Sequence, residues 1–438
     1  MTNVSIDRAQ WLAKKPFRNP DVEQAIFAGD VPAADELAIE EINPVNPHLF
    51  REHRWHDHFA RLRAEDPVHL NELGSAGRYW SVTRWEDIRA VESDWKSFSS
   101  ANGIVIGPPP SPELAAVTPP SAFISMDPPE QTAQRKTVRG ISAPRSLRNL
   151  EGLIRERTVS VLESLPVGET FDWVERVSIE LTTLLLATLF DFPLEHRRKL
   201  TRWSDVATSL AEPGGVVESS AQRQQELGEC LAYFEQLWEE RRRNPGEDLV
   251  SMLAHGEATK DLSTAEHLGN LLLLIVGGND TTRNTMSGSV YGLNRFPDQY
   301  DKLIADHGLI PKLVPEVIRW QTPLAYMRRT ATADVEFGGK QILEGDQVLM
   351  WYISANRDET IFGDDADALD IERPNADRHL SFGYGVHYCM GSRLAELQLR
   401  VLWEEVLDRF ERIEVQGEPE RTMSSFVNGY TSLPVRIR

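Results

Sequence analysis

Cysteine is almost missing from this sequence: Cys230 and Cys389 are the two thiols in 438 residues. At most one disulfide can form, which excludes a disulfide framework and a Cys-rich structural zinc site and favours a reducing, cytoplasmic setting. Long apolar runs are missing too. The most apolar stretch, Leu268 to Gly278, holds six consecutive large aliphatics, well short of the roughly 18–20 residues needed to cross a bilayer. The N-terminal region is interrupted by charge and has no signal-peptide core. Positive charge is outnumbered, 47 Lys and Arg against 67 Asp and Glu for a net charge of -20, which opposes attraction to nucleic acid or anionic lipid.

What is present is a chain of 41% hydrophobic and 26% charged residues, long enough for roughly three average domains or one large one. Residues 1–45 are acidic and Pro-punctuated, with a short helix expected over Asp21 to Phe27. They read as an extension packed on a single domain formed by 46–438. A helix over His56 to Arg63, a strand over Arg78 to Val82 and a helix over Trp85 to Val91 come next. Six prolines between Ile104 and Pro120 force a loop with apolar side chains. Helical spacing then dominates: Gln131 to Val138, Leu147 to Leu165, Trp173 to Leu189, Pro193 to Ala211 and Gln222 to Arg243, the last ending in a basic run read as a solvated face. Thr264 to Val290 predicts one long helix, Pro311 to Trp320 a shorter one, and Leu394 to Phe410 another. Ala333 to Phe337 and Val348 to Tyr352 read as strands, and Phe426 to Val435, broken by Asn428-Gly429, as a closing hairpin. The fold class is mainly α with small β-sheets, without regular βαβ units.

One segment concentrates chemical signal: Ser381-Phe382-Gly383-Tyr384-Gly385-Val386-His387-Tyr388-Cys389-Met390-Gly391. A glycine-rich loop delivers one thiol to a helix entrance, where amides and the helix dipole favour a thiolate. Taken singly, such a cysteine also fits inert packing, and His387 two residues away is poorly placed for a Cys/His relay. The long helix carries a second signal, Gly277-Gly278-Asn279-Asp280-Thr281. Thr281 can bond a preceding carbonyl and Asp280 can relay protons, although the same residues also fit a helix break capped by Asp280. Glu316 and Arg319 share one helical face as an ion pair, and Pro315 is most easily accommodated in a first helical turn.

Together these motifs resemble the cytochrome P450 superfamily of haem-thiolate monooxygenases, from about residue 45 to the end. The resemblance implies the fold of that family, with haem b between a long distal helix and the proximal cysteine loop. It implies Cys389 as the axial iron ligand, Phe382 beside the thiolate, and His387, Arg135 and Arg329 on the haem propionates, with Arg328 fitting the same pattern as Arg329. Gly277 and Gly278 would lie over the haem. Oxygen activation falls to Asp280 and Thr281, and Glu316 with Arg319 becomes a structural pair behind the haem. Many relatives carry histidine where this chain has Gln131.

The resemblance is strongest to soluble bacterial hydroxylases of the terminal carbons of alkanes and medium-chain fatty acids. Terminal selectivity requires steric confinement, and Ile104, Val105, Ile106, Leu274, Leu324, Met327 and Phe426 are the expected apolar lining. No flavin or nicotinamide fingerprint accompanies the haem motif. The resemblance implies a ferredoxin and an NAD(P)H-dependent ferredoxin reductase as electron donors, docking near Arg393 and Arg400. A peroxide-driven peroxygenase and a non-catalytic haem sensor or carrier are the alternatives.

Overall fold

The Thr264–Arg295 helix runs unbroken through the centre of the molecule. Its start is fixed by a capping box, in which Ser263 accepts from the amide of Glu266 and Glu266 accepts from that of Ser263, so two donors at the helix entrance are satisfied reciprocally. The Gly277-Gly278 pair does not break it. The helices Ile179–Leu189, Arg198–Thr208, Ile310–Gln321 and Ser392–Arg409 pack around it, and this burial offsets the roughly 1 kcal/mol that each interior glycine costs relative to alanine. Buried polar pins fix the register: Thr182 Oγ1 donates to Asn279 Oδ1 at 3.0 Å, and Trp403 Nε1 donates to Ser289 Oγ at 3.0 Å. The computed structural model describes residues 32–73, 77–107, 122–209, 211 and 215–438. The helix expected over Asp21 to Phe27 and most of the proline-rich loop lie outside the described residues.

Strands are few and short, and the fold is mainly α-helical. The largest sheet has the order β1-β2-β8-β5-β3, built from β1 (Val68–Leu73), β2 (Gly77–Val82), β3 (Phe98–Ser99), β5 (Met327–Ala331) and β8 (Gln347–Met350). It joins the N-terminal hairpin to the carboxyl third through a parallel β2–β8 pairing. Strand β5 has no sequence counterpart above, yet it alone separates two neighbouring arginines. Successive strand side chains point to opposite faces. Arg328 therefore reaches the residue 103–107 loop, where its Nε donates to Gly103 O at 3.2 Å and its Nη1 to Gln347 Oε1 at 2.7 Å, whereas Arg329 turns to the other side.

Three expectations are corrected. The Phe426 to Val435 segment is not a hairpin. β11 (Tyr430–Ser432) pairs with β10 (Glu420–Arg421), and β12 (Pro434–Ile437) joins β4 (Thr170–Asp172) and β9 (Ile413–Val415) in another sheet. Residues before the turn are held elsewhere, since Ala325 donates to Phe426 O and Asn428 to Pro323 O. Pro315 sits inside the Ile310–Gln321 helix, with Pro311 in the first turn. Burial of Leu313, Val314, Val317, Ile318 and Trp320 compensates the roughly 3 kcal/mol of an interior proline. The basic run ending the Ser220–Arg243 helix is not uniformly solvated, because Arg241 turns inward to Asp191 at 2.6 Å and Asp248 at 3.3 Å.

Candidate active site

The cysteine loop closes on itself before the Ser392–Arg409 helix begins. The amide of Cys389 donates to Phe382 O at 2.8 Å, and Gly383 and Gly385 take positive φ values of 66° and 64°, a backbone region open to glycine. Phe382 stands edge-on to His379 and Tyr388, with centroids at 5.2 and 6.2 Å. Buried Gln131 donates from Nε2 to Val386 O at 2.8 Å, so the residue that replaces histidine has a definite task as a loop tether. The Cys389 thiol does not become a thiolate through the helix entrance alone. Burial pushes its pKa up and outweighs the amides of Gly391 and Ser392 and the charge of Arg135, which pull it down.

Arg135, Arg329 and His387 converge beside this loop. Arg135 donates to the carbonyl of Tyr388. His387 Nε2 shares a hydrogen bond of 3.0 Å with Ser100 Oγ, and burial together with Arg329 and Arg135 depresses its pKa to about 3, so the ring is neutral at physiological pH. Ser100 is held in turn, its amide donating to Asp127 Oδ1 at 2.9 Å. Arg329 is buried, donates from Nη1 to Arg328 O at 2.9 Å, and lies 3.5 Å from Glu92. Two guanidiniums, an imidazole and one thiol suit a dianionic prosthetic group that brings its own iron.

On the central helix the motif residues divide between two faces. Leu274, Gly277 and Thr281 follow three-then-four spacing and share one face, and none of the three is fully buried. A Cβ on Gly277 would meet nothing within 4 Å, which leaves room for a flat group against the backbone. Thr281 Oγ1 donates to Gly277 O at 2.8 Å without interrupting the helix. Gly278 faces a neighbouring helix instead, where a Cβ would stand 2.8 Å from Leu186 Cδ2.

Asp280 is buried and turned toward the Arg198–Thr208 helix. It accepts from Ser204 Oγ at 3.0 Å and from Thr208 Oγ1 and Asn279 Nδ2 at 3.1 Å. It also pairs at 3.0 Å with Arg283, whose other nitrogen reaches Asp205 at 2.9 Å. The reading of Asp280 as the cap of a second helix does not hold. Sequence reasoning missed Ser204, Asp205, Thr208 and Arg283; for Arg283 the signal was its i+3 spacing from Asp280.

The apolar candidates also divide. Val105, Ile106, Leu324 and Met327 are the partly buried margin of a cluster that includes Phe426, Tyr326, Trp351 and Phe59. Leu274 borders a different cluster, on the central helix, and Ile104 contributes its carbonyl to the amide of Arg328 at 2.8 Å. Behind the site, Glu316 and Arg319 are fully buried and joined by two contacts of 2.7 Å.

Comparison with known proteins agrees with this architecture. The family model described as Cytochrome P450 matches residues 169–436. A linalool 8-monooxygenase of Pseudomonas putida is 38% identical over 400 residues, 89% of this chain and 97% of that protein. A methyl-branched lipid omega-hydroxylase of Mycobacterium tuberculosis is 32% identical, covering 86% of this chain and 90% of that protein. Among solved structures, cytochrome P450-153 from Novosphingobium aromaticivorans superposes with a TM-score of 0.83 at 48% identity, covering 91% of this chain and 99% of its own. A family match over more than half of the chain, with relatives aligned along nearly their full length, establishes that this chain belongs to the cytochrome P450 family and is a haem-thiolate monooxygenase.

Proposed function

We propose that this monooxygenase hydroxylates the terminal carbon of medium-chain alkanes or fatty acids. The observation that carries this reading is the apolar margin formed by Val105, Ile106, Leu324 and Met327 with Phe426, backed by Tyr326 and Trp351. Leu274 stands on the same helix face as Gly277 and Thr281. A long apolar chain fits such walls, and confinement by them selects a chain end over a stronger-reacting internal methylene. The omega-hydroxylase relative supports the same regiochemistry. The linalool 8-monooxygenase favours a second reading, a branched terpenoid substrate. Incubating the reconstituted enzyme with linear alkanes, fatty acids and linalool, and locating the inserted oxygen by mass spectrometry, tests both. Terminal alcohols are expected, and mainly internal products would sink the proposal.

Haem b, when bound, supplies reductive activation of dioxygen, with one oxygen atom entering the substrate C–H bond and the other leaving as water. Cys389 Sγ would hold the iron with Phe382 packed beside it, while Arg135, Arg329 and His387 would hold the propionates. Gly277, with nothing within 4 Å of a Cβ built on it, would leave room for the ring. In this reading Thr281 Oγ1 holds a proton on the open side of the helix, and Asp280 passes protons inward once it exchanges a partner among Ser204, Thr208 and Arg283. Asp280→Asn is expected to lower kcat by roughly 10²-fold with little change in substrate affinity, measured by spectral titration beside steady-state turnover. Unchanged kcat would remove Asp280 from proton delivery.

Electrons are proposed to come from a ferredoxin and its NAD(P)H-dependent reductase. Arg400 is not a free cation for docking, since Glu151 and Glu404 hold it at 2.8 and 2.9 Å. Lys136, Arg139 and Arg393 are exposed; Lys136 lies on, and Arg139 directly follows, the helix whose Arg135 donates to Tyr388 O, and Arg393 follows Cys389 by four residues. This local excess of positive charge stands against a net charge of -20. Raising ionic strength or introducing Arg139→Glu is expected to slow reduction by an acidic ferredoxin, monitored by stopped flow. A rate indifferent to both changes would exclude this surface.

A further inference from the structure

Glu92, near the end of the Trp85–Ser93 helix, is a carboxylate whose side chain is completely enclosed. Its Oε1 accepts from the hydroxyl of Tyr352 at 2.6 Å and lies 3.5 Å from Arg329 Nη2. Its Oε2 makes no hydrogen bond of good geometry, although the backbone amide of Tyr384 in the cysteine loop also acts on the carboxylate, a weakly satisfied state that is expensive for a buried charge. The cysteine loop is laid over the same residue. A Cβ on Gly385 would stand 2.8 Å from the Glu92 carbonyl oxygen, and one on Gly383 would stand 3.2 Å from Oε1. A buried acid with an incomplete hydrogen-bond shell, placed behind one of the three groups assigned to haem, is costly for the fold and demands a compensating use.

We propose that Glu92 is the positioning residue for Arg329: held by Tyr352, it fixes the guanidinium behind the propionate-binding face and sets the charge felt by bound haem. This rests on the assignment of Arg329 to a propionate. The arrangement gives Arg329 an anion on each side, so its orientation no longer depends on haem alone. Outer-shell partners of this kind typically change the affinity of a bound centre by roughly 10- to 100-fold.

The charge on Glu92 also varies with pH. Burial raises its pKa to about 7, while Arg329, the Tyr352 hydroxyl and the backbone amide of Tyr384 pull the other way. The ionisable groups that face the site are Tyr352, Arg329 and, beyond Arg329, His387 and Arg135. Tyr352 is held protonated by burial and His387 is neutral, so between pH 6 and pH 8 Glu92 is the group among these that changes charge. Above its pKa its negative charge disfavours the reduced iron.

The test compares haem-loaded wild type, Glu92→Gln and Arg329→Gln, reading haem transfer to an apo-globin acceptor and the reduction potential at pH 6 and pH 8. Glu92→Gln is expected to release haem about tenfold faster and to shift the potential positive at pH 8 but not at pH 6. Wild-type haem retention and an unshifted potential at pH 8 would overturn the proposal. If Arg329→Gln releases haem faster and Glu92→Gln does not, the role of Glu92 fails alone; if neither does, the propionate assignment of Arg329 fails first. Should Glu92→Gln not load haem, Tyr352→Phe keeps the carboxylate and removes a hydrogen bond to its charged form. The pH at which the potential changes is then expected to rise, and a midpoint equal to the wild type's would overturn the proposal.

Discussion

Cys389→Ser is expected to abolish the thiolate-type band in the reduced carbon-monoxide difference spectrum and to lower turnover by roughly 10³-fold or more, the scale reached when a group acting at the reacting centre is removed. A serine hydroxyl is not ionised at neutral pH and lacks the soft sulfur that donates electron density to the iron. The surrounding protein does not make a thiolate unaided, because burial of Cys389 raises its pKa against the Gly391 and Ser392 amides and Arg135. Bound iron must supply the remaining stabilisation, so thiol deprotonation and haem uptake are linked. Cys230 cannot substitute. It is fully buried in an apolar cluster among Phe234, Leu231 and Trp203, and burial alone raises its pKa. Cys230→Ser is accordingly expected to keep the band. A thiolate-type spectrum in Cys389→Ser would refute the assignment of the ligand.

The parts of the site that were legible in the sequence are those carried by short local patterns. The cysteine loop lies within eleven consecutive residues, Glu316 and Arg319 are one helical turn apart, and Gly277 to Thr281 sit on one helix. What was hidden depends on contacts between distant segments. Nothing near Glu92 signals Arg329 or Tyr352, and the hydroxyls around Asp280 come from another helix. Arg328 and Arg329 are indistinguishable by local pattern, and only the two-residue period of β5 assigns them to opposite faces. The carboxyl-terminal hairpin failed for a related reason. Asn428-Gly429 is a good turn signal, but Asn428 is committed to Gln321 and Pro323 through Nδ2 and its own amide. The partners of the flanking strands were fixed by segments far away in the chain.

Breaking the Glu316–Arg319 pair is expected to cost about 3–5 kcal/mol, the scale of an uncompensated buried charge. Each side chain is 0% exposed, and the pair is the hub of a larger network. Arg319 Nη1 donates to the carbonyls of Asn356 and Ala366, and Nη2 to that of Ala368, each at 2.7 Å. Glu316 Oε1 also accepts from the amide of Asp370 at 2.9 Å and from Arg373 Nε at 3.3 Å. When Arg319 is removed, the carbonyls of Asn356 and Ala366 lose this donor and that of Ala368 is left to Arg373 Nη2 at 3.3 Å. The damage reaches the cysteine loop by a short route, because Asn356 Nδ2 donates to Ser381 Oγ at 2.8 Å and Leu380 N donates to Asn356 Oδ1 at 2.6 Å. Arg319→Met should thus lower the thermal unfolding midpoint and the yield of haem-loaded protein together. Arg319→Lys retains charge but not the planar five-donor fork and should recover only part of the loss. Glu316→Gln tests the charge separately, since it keeps the shape and one acceptor while leaving Arg319 and Arg373 without their shared anion. Differential scanning calorimetry of the three variants beside the wild type provides the measurement. A destabilisation below about 1 kcal/mol in Glu316→Gln, the range of an exposed pair, would show that the surrounding carbonyls alone can carry the buried guanidinium.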